Sequence, residues 1–167
     1  YARFPEWYFC PKCRRFQPLS KWIAEFDKKA KDQEKTNNRN MSRRLYCPKD
    51  RIELVVARIV TVCGRGHIND FPWVKWTHAK NRGGPKQVCA NPQLTFTTSP
   101  VSSEGLDGLS LKCTACNASA TLKDAFNDGE FERLDEKTEN KYDFTCEGRH
   151  PWKNQKDACP CYPKVLQ

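Results

Sequence analysis

Ten cysteines are the side chains best suited to chemistry in this sequence of 167 residues. Two residues separate Cys10 from Cys13, and two separate Cys113 from Cys116, which is the spacing of a metal knuckle that supplies two thiolates from one tight turn. Read as disulfides, the cysteines would form a secreted framework, but no signal-peptide pattern precedes them. The spacing therefore predicts zinc binding in the reducing cytoplasm.

The strongest ligand pattern places Cys113 and Cys116 in one zinc site with Cys146 and Cys159. A knuckle supplies two ligands, and two distant cysteines complete the tetrahedron that zinc prefers. Cys161 is an alternative fourth ligand, because a single residue between two cysteines rarely allows both to bind one ion.

A second pattern consists of Cys10, Cys13 and Cys47, with Asp50 at the position where a zinc ribbon has its fourth cysteine. A carboxylate oxygen can bind zinc at about 2.0–2.2 Å, so Asp50 is a candidate fourth ligand. The alternatives are a degenerate ribbon with three ligands and a turn that binds no metal.

A third, weaker set consists of Cys63, His67, His78 and Cys89, which together would form a site of two cysteines and two histidines. Alternatively, Cys63 is a small core residue at the end of a buried strand, and the histidines make ordinary hydrogen bonds. His67 with Asp70 can also be read as a catalytic pair, although no nucleophile accompanies them.

The cysteine-rich sites are closed, without the vacant position that a catalytic zinc keeps for water. The sequence contains no phosphate-binding glycine loop, no Gly-x-Ser-x-Gly and no His-Glu-x-x-His segment. We therefore predict a protein without catalytic activity that binds two zinc ions, and three where the weaker set also binds. A nuclease is the alternative, and no pattern indicates a small-molecule substrate.

Short elements must position these ligands, which predicts an α+β fold of zinc-ribbon-like lobes around a short buried sheet with few helices. Apolar residues at three-to-four spacing predict a helix over about residues 21–32. A β-branched run predicts one buried strand from Ile52 to Val62. The other expected elements are strands at 94–97 and 109–112, a short helix that ends near Phe126, and an acidic loop over 127–143.

Two lobes are predicted, a zinc-ribbon-like lobe with a basic helix and the first core strand over residues 1–62, and a second zinc lobe over residues 63–167. No clear boundary separates them, so one continuous domain is the alternative. Because the chain opens at Tyr1 rather than at methionine, we expect it to be part of a longer protein. The longest apolar stretch is too short for a membrane helix, so no membrane partner is expected.

The net charge of +9 is distributed unevenly along the chain. Residues 1–103 contain 20 Lys and Arg against 8 Asp and Glu, whereas residues 104–147 contain 5 against 11. A basic region of this kind indicates a phosphate backbone or an acidic partner, with a separate acidic face turned elsewhere. General solubility is the alternative explanation.

Residues 71–103 contain no acidic side chain and combine basic residues with Trp73, Trp76 and Phe96. Basic side chains neutralise phosphates and aromatic rings stack on unpaired bases, which is the combination expected along a path for single-stranded DNA. The two tryptophans are nevertheless expected to lie in the core. The candidate nucleic-acid-binding residues are Arg14, Arg15, Arg43, Arg44, Lys75, Lys80, Arg82 and Lys86.

Several segments together form a recognisable pattern: residues 7–15, residues 63–73 with their Gly-Arg-Gly-His-Ile-Asn-Asp run, residues 76–78 with Cys89, the pair Cys113 and Cys116, and residues 146–152 followed by Cys159. In this order they resemble the DrmB family of the bacterial DISARM anti-phage defence system. The resemblance implies a helicase-associated zinc-binding protein that works with a large DrmA-like helicase on foreign DNA. It leaves open the C-terminal zinc-binding domain of a helicase and a scaffold that binds only proteins. Asp50 departs from the knuckle cysteine that the family pattern implies.

Overall fold

Nine strands and three helices make up the part of the chain that the computed structural model describes, residues 3–33, 45–98, 108–153 and 155–167. The helices are α1 (Leu19–Gln33), α2 (Trp73–Ala79) and α3 (Glu130–Lys137). The strands are β1 (Trp7–Phe9), β2 (Arg15–Pro18), β3 (Val55–Val56), β4 (Val60–Val62), β5 (Ile68–Asp70), β6 (Leu94–Thr98), β7 (Leu109–Cys113), β8 (Ser119–Thr121) and β9 (Lys164–Leu166). The predicted α+β class is confirmed.

The larger sheet has the strand order β3-β1-β2-β6-β7-β8, and its neighbouring strands are antiparallel. Its register aligns Phe9, Phe16, Leu94 and Cys113 across four strands. Because alternate side chains point to opposite faces of a strand, this row shares one face. Phe16, Leu94 and Cys113 are buried, so this is the core face.

Aromatic rings fill the core between this face and the second and third helices. Trp73 and Trp76 of α2 are fully buried, and Phe16 meets Trp73 edge-on with ring centroids 4.9 Å apart. Phe131 of α3 contacts Trp76 and stacks on Phe144 at a centroid distance of 5.2 Å. Each ring buries a large apolar area, which suits a chain that is only 38% hydrophobic.

The smaller sheet has the order β5-β4-β9, and its central strand follows closely after an edge strand of the larger sheet. The single strand predicted from Ile52 to Val62 is therefore wrong, because β3 and β4 belong to different sheets. The chain crosses between them at buried Ala57, whose N–H donates to the Trp7 carbonyl at 2.9 Å, and at exposed Arg58. An apolar run does not show where a chain changes sheets.

The amphipathic helix predicted near residues 21–32 is confirmed as α1, Leu19–Gln33. Trp22 is its buried anchor, and the Trp22 Nε1–H donates to the Tyr8 carbonyl at 3.0 Å. The Arg15 guanidinium lies over the Trp22 ring, 4.7 Å from its centroid. These contacts fix α1 against the first two strands.

The third helix lies where the sequence predicts an acidic loop, while the residues before Phe126 form a turn rather than the expected short helix. Two carboxylates of α3 are buried and bonded rather than solvated. Glu130 pairs with Lys80 at 2.9 Å, and Asp135 accepts the Phe144 N–H at 2.7 Å. These partners, one of them 50 residues away in sequence, explain why an acidic segment folds as a helix.

Strands from both predicted lobes pair in each sheet, β2 with β6 and β4 with β9. We therefore propose one continuous domain in preference to a division at residue 62. Within the described ranges, no helix has the length and apolar character needed to cross a membrane.

Asp70 generates a test of this fold, because its carboxylate accepts the Glu6 N–H and ties the N-terminal segment to β5. Burial raises the pKa of Asp70 from 3.8 to about 6, so the folded protein keeps this proton at a pH where the unfolded chain has lost it. The stabilising contribution is complete below the unfolded pKa and is lost as the pH rises through about 6.

Asparagine at this position does not titrate and keeps one oxygen for the Glu6 N–H. We expect the free energy of unfolding of Asp70→Asn, relative to wild type, to increase by about 1.4 kcal/mol between about pH 5 and about pH 8. Urea unfolding of both proteins across this range measures the difference. A difference that does not change with pH would contradict the burial of the charge.

Candidate metal centres

Nine of the ten cysteines gather with two histidines and one aspartate into three groups of four ligand atoms. Within each group all four atoms lie within 4.8 Å of one another. The first cluster is Cys10, Cys13, Cys47 and Asp50; the second is His78, Cys89, Cys113 and Cys116; the third is Cys63, His67, Cys146 and Cys159. All ten cysteines are free thiols.

The first cluster joins two turns that share one backbone geometry. In the first turn, the Cys10 N–H donates to the Arg15 carbonyl at 3.0 Å, and the Cys10 carbonyl accepts the Arg14 N–H at 2.9 Å. The turn that begins at Cys47 repeats both bonds with residues four and five positions later, at 2.9 and 2.8 Å. Asp50 therefore stands three residues into its turn, where Cys13 stands in the first.

The oxygen of Asp50 completes this first cluster. Asp50 Oδ2 lies 3.4 Å from Cys10 Sγ and 3.5 Å from Cys47 Sγ, while Cys13 Sγ lies 3.8 Å from Cys47 Sγ. A hydrogen bond from Cys13 lowers the pKa of Asp50, which keeps the carboxylate ionised. The structure brings together the four residues that the sequence groups here.

The second cluster is built on the turn between β7 and β8 and on helix α2. The Cys113 turn has the same two backbone bonds, to Asn117 at 2.8 Å and to Ala118 at 2.7 Å. His78 Nδ1 lies 2.7 Å from the Val74 carbonyl, so this nitrogen carries the proton and Nε2 has a free lone pair. That Nε2 lies 3.3 Å from Cys116 Sγ.

The third cluster connects the turn between β4 and β5 to two distant segments. Cys63 Sγ lies 3.4 Å from His67 Nδ1 and 3.9 Å from Cys159 Sγ. Cys146 Sγ accepts the Asn69 side-chain N–H at 3.5 Å and the Gly148 backbone N–H at 3.3 Å. All four ligand residues are buried.

The predicted grouping of two of these sites is wrong. Cys113 and Cys116 are not gathered with Cys146 and Cys159, because β7 and β8 carry their turn beside α2 while Cys146 and Cys159 lie beside the smaller sheet. His78 and Cys89, expected with Cys63 and His67, complete the Cys113 turn instead. The spacing identifies a knuckle, but strand order decides which ligands it meets.

Cys161 lies beside the third cluster without joining its four ligand atoms. Its carbonyl accepts the Cys146 N–H at 2.8 Å, and its side chain neighbours Cys159, which raises the pKa of Cys161. The tenth cysteine is thus placed next to the ligands rather than among them.

Burial opposes ionisation of these thiols and raises the pKa of Cys13 to about 12 and those of Cys89 and Cys146 to about 11. Burial acts in the same direction on Cys63 and Cys113, but hydrogen bonds from neighbouring backbone groups outweigh it and lower their pKa. Closely spaced buried thiolates repel one another unless a cation lies between them. The donor sets, three sulfurs with one nitrogen or oxygen, fit zinc.

The hypothetical catalytic pair of His67 and Asp70 is not supported by their contacts. His67 faces Cys63 through Nδ1, and its Nε2 lies 3.7 Å from Asp157 Oδ2, while Asp70 accepts the Glu6 backbone N–H. Sequence reasoning missed His150 and Asp157, which form a further group with His67. No spacing rule links these three residues, because a bend of the chain brings Asp157 back to them.

Some of the predicted nucleic-acid-binding residues are held in ion pairs or hydrogen bonds within the protein, and others are exposed. Arg15 pairs with Glu25 at 2.9 Å, Lys75 donates to the Asp143 carbonyl at 2.7 Å, and Lys80 pairs with Glu130. Arg82 and Lys86 are exposed, although Lys86 Nζ contacts the Cys116 carbonyl, and Arg14 is half-buried; Arg43 and Arg44 lie outside the described residues.

The aromatic residues of the predicted single-stranded path point into the protein. Trp73, Trp76 and Phe96 are 1%, 0% and 7% exposed. The expectation that the two tryptophans lie in the core is confirmed, and none of the three rings can stack on a base.

Comparisons with known proteins give a family and one distant relative. A family model described as "Domain of unknown function (DUF8724)" matches residues 1–167. The chain is also similar to "DISARM protein DrmB" of Bacillus paralicheniformis, with 32% identity over 114 residues. That stretch is 68% of this chain but 17% of the DrmB protein, so the chain spans a small part of its relative's length.

Gly148 supports the third cluster and offers a matched test. It has a φ of 65°, and a Cβ added there would overlap the backbone carbonyl of Asp157. Gly84 also has a positive φ, 101°, but a Cβ there would meet no atom within 4 Å. We expect Gly84→Ala to lower the free energy of unfolding by about 1–2 kcal/mol and Gly148→Ala by more than about 3 kcal/mol. Denaturant unfolding measures both, and equal losses would refute the close approach at Gly148.

Proposed function

The chain belongs to the family described as Domain of unknown function (DUF8724), and from this premise we propose that it is a zinc-stapled, DNA-binding accessory unit of an anti-phage defence complex. Its similarity to DISARM protein DrmB supports the defence role. In this proposal the unit acts without catalysing a reaction and works beside a DrmA-like helicase. Free thiol ligands require a reducing compartment, so we place it in the cytoplasm.

The observation that carries this proposal is the presence of three complete ligand sets, each of four atoms within 4.8 Å. Zinc in structural sites is almost always bound by four protein ligands, whereas catalytic zinc has three and keeps one position for water. Four protein donors in each cluster therefore favour a structural role. When bound, zinc would supply the positive charge that the buried thiolates need.

The ligands join segments that lie far apart in the sequence. Cys13 and Cys47 are 34 residues apart, His78 and Cys116 are 38 apart, and Cys63 and Cys159 are 96 apart. Because closing a longer loop costs more entropy, ions that hold these contacts stabilise the fold beyond what the small sheets supply. Three staples of this kind suit a chain with short strands and many loops.

Exposed basic side chains support DNA binding, whereas the aromatic rings of the predicted path are buried and cannot contribute. Arg82 and Lys86 are exposed in a stretch without acidic residues. The backbone N–H of Arg82 donates to the Ser119 carbonyl at 3.0 Å, which leaves its guanidinium exposed. Contacts from such side chains to phosphates give affinity that does not depend on base sequence. We therefore propose general, rather than sequence-specific, DNA binding.

A protein scaffold is the second candidate function, and the acidic surface of α3 favours it. Glu132, Glu136 and Glu139 are exposed, and the acidic segment lies apart in sequence from the basic one. Such a surface suits a basic partner protein. The C-terminal zinc-binding domain of a helicase is a variant of the same proposal in which the partner is part of the same chain.

Total-metal analysis of the purified chain tests the zinc proposal, and we expect three zinc ions per chain. The variants Cys13→Ser, Cys113→Ser and Cys63→Ser should each lose one ion and, because structural zinc contributes on the order of 10 kcal/mol, a large part of their stability.

Paired variants test the grouping of ligands. Cys113→Ser combined with Cys89→Ser should lose one zinc, because both residues belong to the second cluster. Cys113→Ser combined with Cys146→Ser should lose two, because these residues belong to different clusters. The reverse pattern, two ions lost from the first pair and one from the second, would restore the grouping read from the sequence, and wild-type protein without zinc would end the proposal.

Salt-dependent DNA binding tests the second half of the function. Arg82→Gln should weaken binding to mixed-sequence DNA and reduce the slope of log affinity against log salt by about 1, because one phosphate contact is lost. Lys137→Gln in the acidic helix α3 removes the same charge and should change neither quantity. Fluorescence anisotropy at several salt concentrations measures both. Identical effects of the two variants would assign the affinity to net charge alone.

A further inference from the structure

Trp152 is the most exposed of the large hydrophobic side chains in the described part of the chain, with 65% of its surface accessible. Trp22, Trp73 and Trp76 are fully buried, and Trp7 is half-buried against Phe16. A solvated tryptophan forgoes the apolar burial that its ring would gain in the core. Its position therefore calls for a reason outside the fold itself.

The segment that carries this ring is fixed by backbone contacts. We define the Trp152 loop as residues 147–153 and 155–157. Its two arms meet through an isolated antiparallel bridge between Arg149 and Lys156, and the Asp157 N–H donates to the Gly148 carbonyl at 2.8 Å. Within the loop, the Lys153 N–H donates to the His150 carbonyl at 3.0 Å. The ring is thus held at the tip of a closed turn.

Ring contacts connect the Trp152 loop to the third cluster. The His150 ring lies 5.2 Å from the Trp152 ring and 4.7 Å from the His67 ring, measured between centroids. His67 in turn faces Cys63 through Nδ1. The third cluster therefore restricts the Trp152 ring through His150 and His67. Because the ring is already restricted, it loses less conformational entropy when it binds a partner.

Exposed basic side chains lie on the Trp152 loop and on the turn of the third cluster. Lys153 and Arg65 are exposed, and neither forms an ion pair with any described residue. Arg65 belongs to the turn of the third cluster, where its backbone lowers the pKa of Cys63, although burial of that thiol acts in the opposite direction. Lys156 pairs with Glu147 at 3.5 Å, but both side chains are more than half exposed, so this pair is weak.

We propose that Trp152 stacks on an unpaired base of single-stranded DNA while Lys153 and Arg65 contact the adjacent phosphates. The inference rests on the proposed DNA-binding function and gives it a site. An exposed, supported aromatic ring with exposed cations on its own loop and on the turn of the supporting cluster has the chemistry that single strands require, because every base presents a π-face. Duplex DNA keeps its bases stacked on one another and offers this ring no partner.

Fluorescence titration of the full chain with a single-stranded oligothymidylate tests the proposal. Wild-type emission should be quenched on binding, since Trp152 is the one exposed tryptophan among the described residues. Trp152→Ala should bind roughly 5- to 150-fold more weakly, the range given by the loss of one aromatic stacking contact. Trp152→Phe should keep affinity within about threefold and lose the quenching, because phenylalanine still stacks but does not report.

Two controls separate a lost contact from a lost fold. Leu166→Ala removes another exposed apolar side chain and should leave affinity unchanged. Zinc content and affinity for a blunt duplex should be the same in Trp152→Ala and in wild type.

The outcomes distinguish the inference from the function on which it rests. Wild-type affinity for single strands in Trp152→Ala, as expected if this ring instead binds a protein, would overturn the inference and leave DNA binding in place. Failure of the wild-type chain to bind any DNA would overturn the proposed function and the inference with it.

Discussion

The interaction on which the structure depends is the gathering of nine thiols into three buried or half-buried clusters, each completed by one imidazole or carboxylate. Burial and then the neighbouring ligand side chains raise the pKa of several of these thiols, so the clusters are unfavourable as collections of anions and favourable around a cation. The secondary structure that surrounds them is slight, with strands of two to five residues. Strands this short contribute few ladder hydrogen bonds each, so ligand clusters that join distant turns add to what the core packing supplies.

One turn geometry, used three times, organises much of the site. The turns that begin at Cys10, Cys47 and Cys113 share the same pair of backbone bonds, and each places a residue other than glycine at positive φ, Arg14, Arg51 and Asn117. Positive φ costs these residues about 1–2 kcal/mol, so the conformation persists because the surrounding contacts impose it. The same repetition explains Asp50, which occupies a ligand position of the turn with an oxygen in place of a sulfur.

Local sequence patterns predict local features of the structure, and they fail where a feature depends on residues from another part of the fold. The spacing of Cys10, Cys13, Cys47 and Asp50 predicted a group that the structure brings together, and apolar periodicity predicted α1. The partners of the Cys113 turn were wrong, because they depend on which strands adjoin in the larger sheet. Helix α3 was missed because its buried carboxylates, Glu130 and Asp135, find partners in other parts of the chain. Residue types near one another in sequence do not encode such partners.

The spans of the three clusters along the chain are unequal, and one lies inside another. The first is complete once Asp50 exists, and the second once Cys116 exists. The third begins at Cys63 and ends at Cys159, so its span along the sequence contains the whole of the second. During synthesis the first cluster and then the second can therefore bind an ion in turn. The three earlier ligands of the third cluster cannot complete their site until Cys159 leaves the ribosome. Strand β9 follows that ligand and pairs with β4, so the smaller sheet also stays incomplete until this segment has been made.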